Sequence, residues 1–363
     1  MYKILALSVA AAMTSSFVNA EVTISGSVRT AFEYISPDQV GVKAGATGVK
    51  SGTNQFNIAD QGSRIRVAGK DKLDFGGELV WVLENRFYVG DPYAKASSAV
   101  WGSRDTYVGY KGDFGFARFG KMDNAYKNIY KNMSPTLDGN INDSSSYMGS
   151  SQMLRRLGNR DASVIYYETP NFSGFNAHGS YTIGEKTDKF DASTYQIGGS
   201  WSDKMFNIGA VYSMSMDQSS DYKSSKITLK GTSDGSSVSG FMVGANAKYM
   251  DFGLGLTYEN VTRDDGKKAR DQDSYAIAAS YKFDKFNFLA TYVTVNDVDT
   301  LADSGGEQIS FGATYNLSKK SRIYATYTML DNDKNASFVT ESGFSVNNGQ
   351  SADILSVGVR TDF

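Results

Sequence analysis

Apolar and polar positions alternate with a period of two along most of the chain. In the segment Val22–Tyr34, Val22, Ile24, Val28, Phe32 and Tyr34 fall on one face, and Thr23, Ser25, Ser27, Arg29 and Glu33 fall on the other. Phe252, Leu254, Leu256 and Tyr258 alternate with Gly253, Gly255, Thr257 and Glu259. Tyr275, Ile277, Ala279, Tyr281 and Phe283 alternate with Ser274, Ala276, Ala278, Ser280 and Lys282, and Ile309 to Leu317 repeats the pattern. Such segments are half-apolar β-strands with one dry and one wet face. They run for about 9–13 residues, longer than the usual strand and long enough for a tilted strand to cross a bilayer.

Short turns fall at Asp71–Gly77, Gly112–Gly115, Pro170–Gly174, Ser202–Lys204, Met250–Gly253, Asp284–Lys285 and Ser318–Ser321. These seven hairpins, a first strand at Val22–Tyr34 and a last at Ser351–Phe363 predict sixteen strands, with 14 or 18 as neighbouring counts. Longer polar segments lie between them, at 35–61, 90–103, 122–160, 216–237, 262–271, 298–306 and 331–350. Short turns alternating with long loops, and both termini on the short-turn side, predict an all-β protein: a 16-stranded antiparallel transmembrane barrel with short periplasmic turns and long extracellular loops. An even count closes such a barrel without an edge. A soluble sandwich is the competing architecture, and strand length argues against it.

Composition sharpens this picture. Tyr is 23, Phe is 21 and Pro only 4, which suits pleated, half-buried strands. Beyond residue 20 no stretch approaches 18 apolar residues, so no transmembrane helix is expected. Lys3, the apolar run Ile4–Met13 and Val18-Asn19-Ala20 have the layout of a secretory signal peptide at 1–20, leaving a barrel at 21–363. Its removal takes the formal charge from −2 to −3, and nothing in that balance points to nucleic acid. An exported chain with no Cys needs a device other than disulfides, and barrel closure is one.

Candidate chemistry is sparse. His178, the single histidine, faces the lumen by parity, with no marked Ser–carboxylate partners, and reads as an incidental pore-wall residue. The absence of Cys excludes a Cys/His zinc site. Asp331–Asn335 resembles the start of a calcium loop but lacks the glycine at the sixth position. No enzyme, metal or cofactor is therefore expected. Charge on the wet face is the informative feature. Parity puts Arg29, Glu33, Arg64, Arg66, Glu78, Glu84, Arg86 and Arg118 inside, because Arg against lipid costs about 2–4 kcal/mol near the midplane. Asp138 and Asp143 lie in the 122–160 segment. Opposed basic and acidic rows across a constriction would orient polar solutes and exclude apolar ones. The competing reading is that these Arg pair with nearby Glu and only stiffen the wall.

The stretches Glu21–Tyr34, Ser63–Leu79, Arg104–Lys121 and Tyr166–Phe175, and the ending VGVRTDF, resemble in order the Gram-negative general diffusion porins, in particular the Neisseria and Burkholderia branch and its marine gammaproteobacterial relatives. The resemblance implies a cell outer-membrane homotrimer of water-filled channels for small hydrophilic solutes and ions. It also implies a third loop, 122–160, folded inward to narrow each pore. Phe363 would be read by the barrel-assembly machinery, and outer-membrane lipids and lipopolysaccharide would surround the barrel. Val164-Ile165-Tyr166 departs from the family, which often carries a basic residue in the sixth strand. The five inward Arg against three Glu and two loop Asp make the pore nearly neutral, and a weak cation preference is expected. A substrate-specific channel, and a non-conducting adhesin or enzyme barrel, are the alternatives.

Overall fold

The computed structural model describes residues 21–37, 54–90, 101–133, 153–184, 192–217, 235–338 and 348–363. Its strands are β1 (Glu21–Pro37), β2 (Gln55–Asp60), β3 (Arg64–Lys72), β4 (Glu78–Arg86), β5 (Thr106–Gly112), β6 (Gly115–Asp123), β7 (Arg160–Glu168), β8 (Phe175–Thr182) and β9 (Thr194–Ser202). The second half holds β10 (Phe206–Met216), β11 (Ser237–Tyr249), β12 (Phe252–Asp264), β13 (Ala269–Phe283), β14 (Phe286–Val295), β15 (Gly306–Asn316), β16 (Ser321–Asn332) and β17 (Ala352–Asp362). One helix, α1 (Ala125–Met133), follows β6.

Apart from β2 and β3, each strand pairs antiparallel with its sequence neighbours, and β17 returns to β1. Both β2 and β3 pair with β1, as two halves of one stave, so seventeen segments make a closed barrel of sixteen staves. All seven expected short turns are present, and both ends of the described barrel lie on their side. The closing seam brings Gly26 and Phe363 together through two backbone hydrogen bonds of 3.1 Å. A Cβ on Gly26 would stand 2.6 Å from the Phe363 ring, so glycine lets the terminal aromatic lie over the seam.

Several boundaries differ from those expected. Strand β1 extends to Pro37 and β2 begins at Gln55, because pairing continues into residues read as polar loop. The expected loop 262–271 shrinks to residues 265–268, since β12 and β13 pair out to Asp264 and Ala269. Asp265 closes that turn by accepting from the amides of Lys267 and Lys268. Residues 183–193, not read as a loop, join β8 to β9.

The outer wall is apolar and framed by aromatics. The cross-strand row through Tyr181 meets β10 at Met214, and Tyr212 stands two residues nearer the short turns. The same step leads from Tyr212 to Tyr258, then to Tyr292 and to Tyr327. In a tilted barrel a constant step holds side chains at one height, so these tyrosines form a girdle. Tyr258 donates to Asp273 (2.8 Å) above it, the arrangement expected where one end of the ring is wet. Phe206, Phe252 and Phe286 stand six positions below Tyr212, Tyr258 and Tyr292, roughly 20 Å along the strand. Among the described residues no helix is long and apolar enough to cross a membrane.

Candidate functional site

A β-bulge organises the charged part of the lumen. The registers of β2 and β3 against β1 differ by one residue, and Gln61-Gly62-Ser63 absorb it. Gly62 has φ +93°, and Asp60 accepts from the amides of Gly62 and Ser63 (both 3.0 Å). Bulges re-aim side chains. Here the Asp60 carboxylate turns into the barrel and meets Arg86 at 3.1 Å, although its position would otherwise point to lipid. Ser63 is bonded to both the amide and the carbonyl of Arg29.

Around the bulge, arginines stand in register. Arg322, Arg360 and Arg29 are cross-strand partners on β16, β17 and β1, and Arg64 faces Arg86 across β3 and β4. Three of the carboxylates among them are shared. Asp362 takes both Arg322 and Arg360 at 2.8 Å, and Glu84 takes both Arg66 and Arg104. Asp123 takes Lys127, Lys131 and Arg160, and Arg160 also reaches Asp105. Arg118 pairs with Glu168 at 3.6 Å and lies over the rings of Tyr107, Phe116 and Tyr166. Cations outnumber carboxylates in this network. Arg66 and Arg86 keep about a third of their side-chain surface open (35% and 34%), so they present charge to the water path.

The segment after β6 enters the barrel and lies on the other half of its wall. Asn124 caps α1, its Oδ1 accepting from the Lys127 amide (3.1 Å). The next free amides are taken by the wall: Ala125 donates to Ser180 Oγ and Tyr126 to Gln196 Oε1, each 3.0 Å. Tyr126, Ile129 and Met133 form one buried stripe against β8–β11, with Leu157 from the returning limb, Val211, Val238, Met242 and Val261. Wall glycines make this fit possible. A Cβ at Gly198 would meet Ile129 Cδ1 at 2.6 Å, at Gly240 Leu157 Cδ1 at 2.9 Å, and at Gly209 Met133 Sδ at 3.1 Å. Higher in the lumen, Met153 and Leu154 join Ile35, Leu330, Phe338 and Ile354 in a second apolar cluster. The remaining face of α1 carries Lys127 and Lys131. Burial, opposed by the attraction of Asp123, brings the Lys127 ammonium down to about 7.

A family model of Gram-negative porins matches residues 6–336. The chain belongs to the Gram-negative porins. It is 24% identical over 338 residues to the major outer membrane protein P.IB of Neisseria meningitidis serogroup A, covering 89% of this chain and 92% of that one. Among solved structures, an anion-selective porin from Comamonas acidovorans superposes with a TM-score of 0.73 at 22% identity, over 95% of this chain and all of that one. OmpT of Vibrio cholerae, in a trimer form, gives 0.65 at 19% identity over 95% and 99% of the two chains. This porin is thus an outer-membrane protein of the family that forms passive diffusion channels.

Within the porin, Arg29, Glu33, Glu84, Arg86 and Arg118 lie on the wall face opposite the exposed Ile24, Phe32, Leu79 and Phe119, and Arg64 and Arg66 stand in register with Arg86 and Glu84. Arg29 and Glu33 are 3% exposed. Asp138 and Asp143 lie outside the described residues. Of the 122–160 segment, the described helix α1 lies against β8–β11, where the glycine sockets are. Arg322, Arg360, Arg104 and Arg160 were not anticipated. Parity around Val357 and Val359 marks Arg360 as inward, whereas Arg104 and Arg160 sit at strand ends where no period can be read. Val164 and Tyr166 do face inward, so the sixth wall position is uncharged. Tyr166 is bonded to His178 Nδ1 at 2.7 Å. In the network of described residues cations prevail; Asp138 and Asp143, which enter the near-even balance expected for the pore, lie outside it.

Proposed function

We propose that this porin is a general diffusion channel with a preference for anions, whose ion path runs along β1–β7 and β16–β17 and is narrowed by the 122–160 segment, whose helix α1 is seated opposite. The excess of cations over carboxylates in the lumenal network, where Asp362, Glu84 and Asp123 each take two or more cations, carries this reading. Such a lumen has a positive potential at its narrow level, where charges act over less than the roughly 8 Å screening length. The fold neighbour named as anion-selective agrees with it. This replaces the weak cation preference expected from sequence.

The same reading takes residues 1–20 as a cleaved export signal, Phe363 as part of the assembly signal, and the working form as a homotrimer, in line with the trimeric neighbour. Lipopolysaccharide and outer-membrane lipids surround it, and it acts without catalysis or cofactor. Among the described residues no serine hydroxyl is bonded to His178, whose partner is Tyr166. Reversal potential in planar bilayers across a potassium chloride gradient tests the preference. A potential of the sign set by chloride is expected, and one set by potassium would overturn it. Stepwise insertion in threes tests the trimer.

A further inference from the structure

We propose that Glu259 is a clasp that fixes both limbs of the inward segment to the wall and so sets the width of the ion path, an inference that rests on the reading above that this segment narrows it. Glu259 on β12 is 0% exposed, as is the side chain of Arg156. Its Oε1 accepts from the Tyr126 hydroxyl (2.8 Å) on the outgoing limb and from the Arg156 amide (2.8 Å) on the returning limb. Its Oε2 accepts from Arg156 Nε at 3.0 Å. Arg156 then reaches β13, donating to the side-chain and backbone oxygens of Gln272, each 2.8 Å. One carboxylate therefore ties two points thirty residues apart to two adjacent strands.

The position of this pair excludes a direct part in selectivity. Both partners are buried behind the segment, shielded from passing ions. At the level of α1 the surrounding wall is Gln196, Ser213, Thr257 and Ser274. A buried ion pair is a poor source of stability compared with apolar residues, and its best-attested use is to fix one geometry. That use is needed here. The contacts of Ile129, Met133 and Leu157 with the glycine sockets are non-directional, and apolar burial alone permits the helix to slide along the wall. Five directed hydrogen bonds through one arginine and one carboxylate do not.

The test is single-channel recording of Glu259→Gln and Tyr126→Phe porin, with folding checked by the mobility shift on heating before electrophoresis. Folded Glu259→Gln channels are expected to step between current levels at least about tenfold more often than the wild type, since loss of one partner of a buried pair removes more than a decade of preference for one geometry. Tyr126→Phe, which leaves the ion pair intact, is expected to lie between. Steady wild-type current in folded Glu259→Gln channels overturns the clasp. If that variant does not fold, Tyr126→Phe decides alone: extra current levels support the clasp and a quiet current overturns it. Lys131→Gln, run in parallel, separates the two readings. If it shifts reversal potential while the clasp variants stay quiet, the segment narrows the path without this clasp. If it shifts nothing either, the reading of the segment fails as well.

Discussion

The lumen of this porin has two unlike halves. On β1–β7 and β16–β17, apart from the apolar cluster of Ile35, Leu330 and Ile354 higher in the lumen, the inward face is crowded with arginines and carboxylates, and Arg66 and Arg86 remain partly open to water. On β8–β14, at the level of α1, they are glycines, small hydroxyls, amides and aliphatic groups, with Glu259 and Arg263 as buried charges. The first half has side chains that reach into the channel. The second has lost side chains to make room for a helix. A single inward-facing polar parity therefore encodes two jobs, and residue size separates them: long and charged beside the water, absent where another segment docks.

The largest effect should come from filling a socket. Gly209→Leu adds bulk where a Cβ already meets Met133 Sδ at 3.1 Å, and overpacking of this kind costs about 1–3 kcal/mol. The folded barrel should unfold at a lower temperature in the heating assay, whereas Ser25→Leu on the charged half should leave that temperature unchanged. Equal losses in both variants would break the distinction between the halves.

An intermediate effect is expected from the open arginines. An ion passing ~6 Å from a unit charge in water gains roughly 0.7 kcal/mol, a factor of about three. The same charge disfavours potassium equally, so Arg66→Gln or Arg86→Gln should lower the chloride-to-potassium permeability ratio by up to about tenfold, read from reversal potential. Thr291→Ala on the other half should leave it where it was.

Much of this division was legible in advance, and the residues show how far. Parity separates the strand arginines from the exposed apolar residues beside them, because a misplaced charge against lipid is costly enough to fix the face. It also held the seven turns, where two or three polar residues leave no alternative. The sockets were not legible. Gly198, Gly209 and Gly240 read as weak strand positions, and only the docked Ile129, Met133 and Leu157 give their absence of side chain a purpose. The bulge at Gln61–Ser63 was hidden too: one extra residue flips Asp60 from lipid to lumen, and no periodicity predicts where it falls. The helix α1 was hidden because its nine residues lie in a polar stretch and depend on Asn124, Ser180 and Gln196 for capping.

The smallest expected effect is in pH. Lys127 is charged below about 7 and neutral above it, because burial disfavours its ammonium. Its positive charge should therefore be present at pH 6 and largely lost at pH 8, and anion preference should decline slightly over that interval. In Lys127→Gln porin the decline should vanish, and a slope equal to that of the wild type would assign it to another group.

The division itself can be read directly, since the chain contains no Cys and single cysteines can be placed at will. Ser25→Cys lies on the charged half and Ser274→Cys on the half beneath the docked segment, where the serine is 0% exposed. During single-channel recording, a negatively charged thiol reagent should alter the current and reversal potential of the Ser25→Cys channel within seconds and leave the Ser274→Cys channel untouched. Equal reaction at both sites, or reaction at Ser274→Cys alone, would contradict an ion path confined to the charged half.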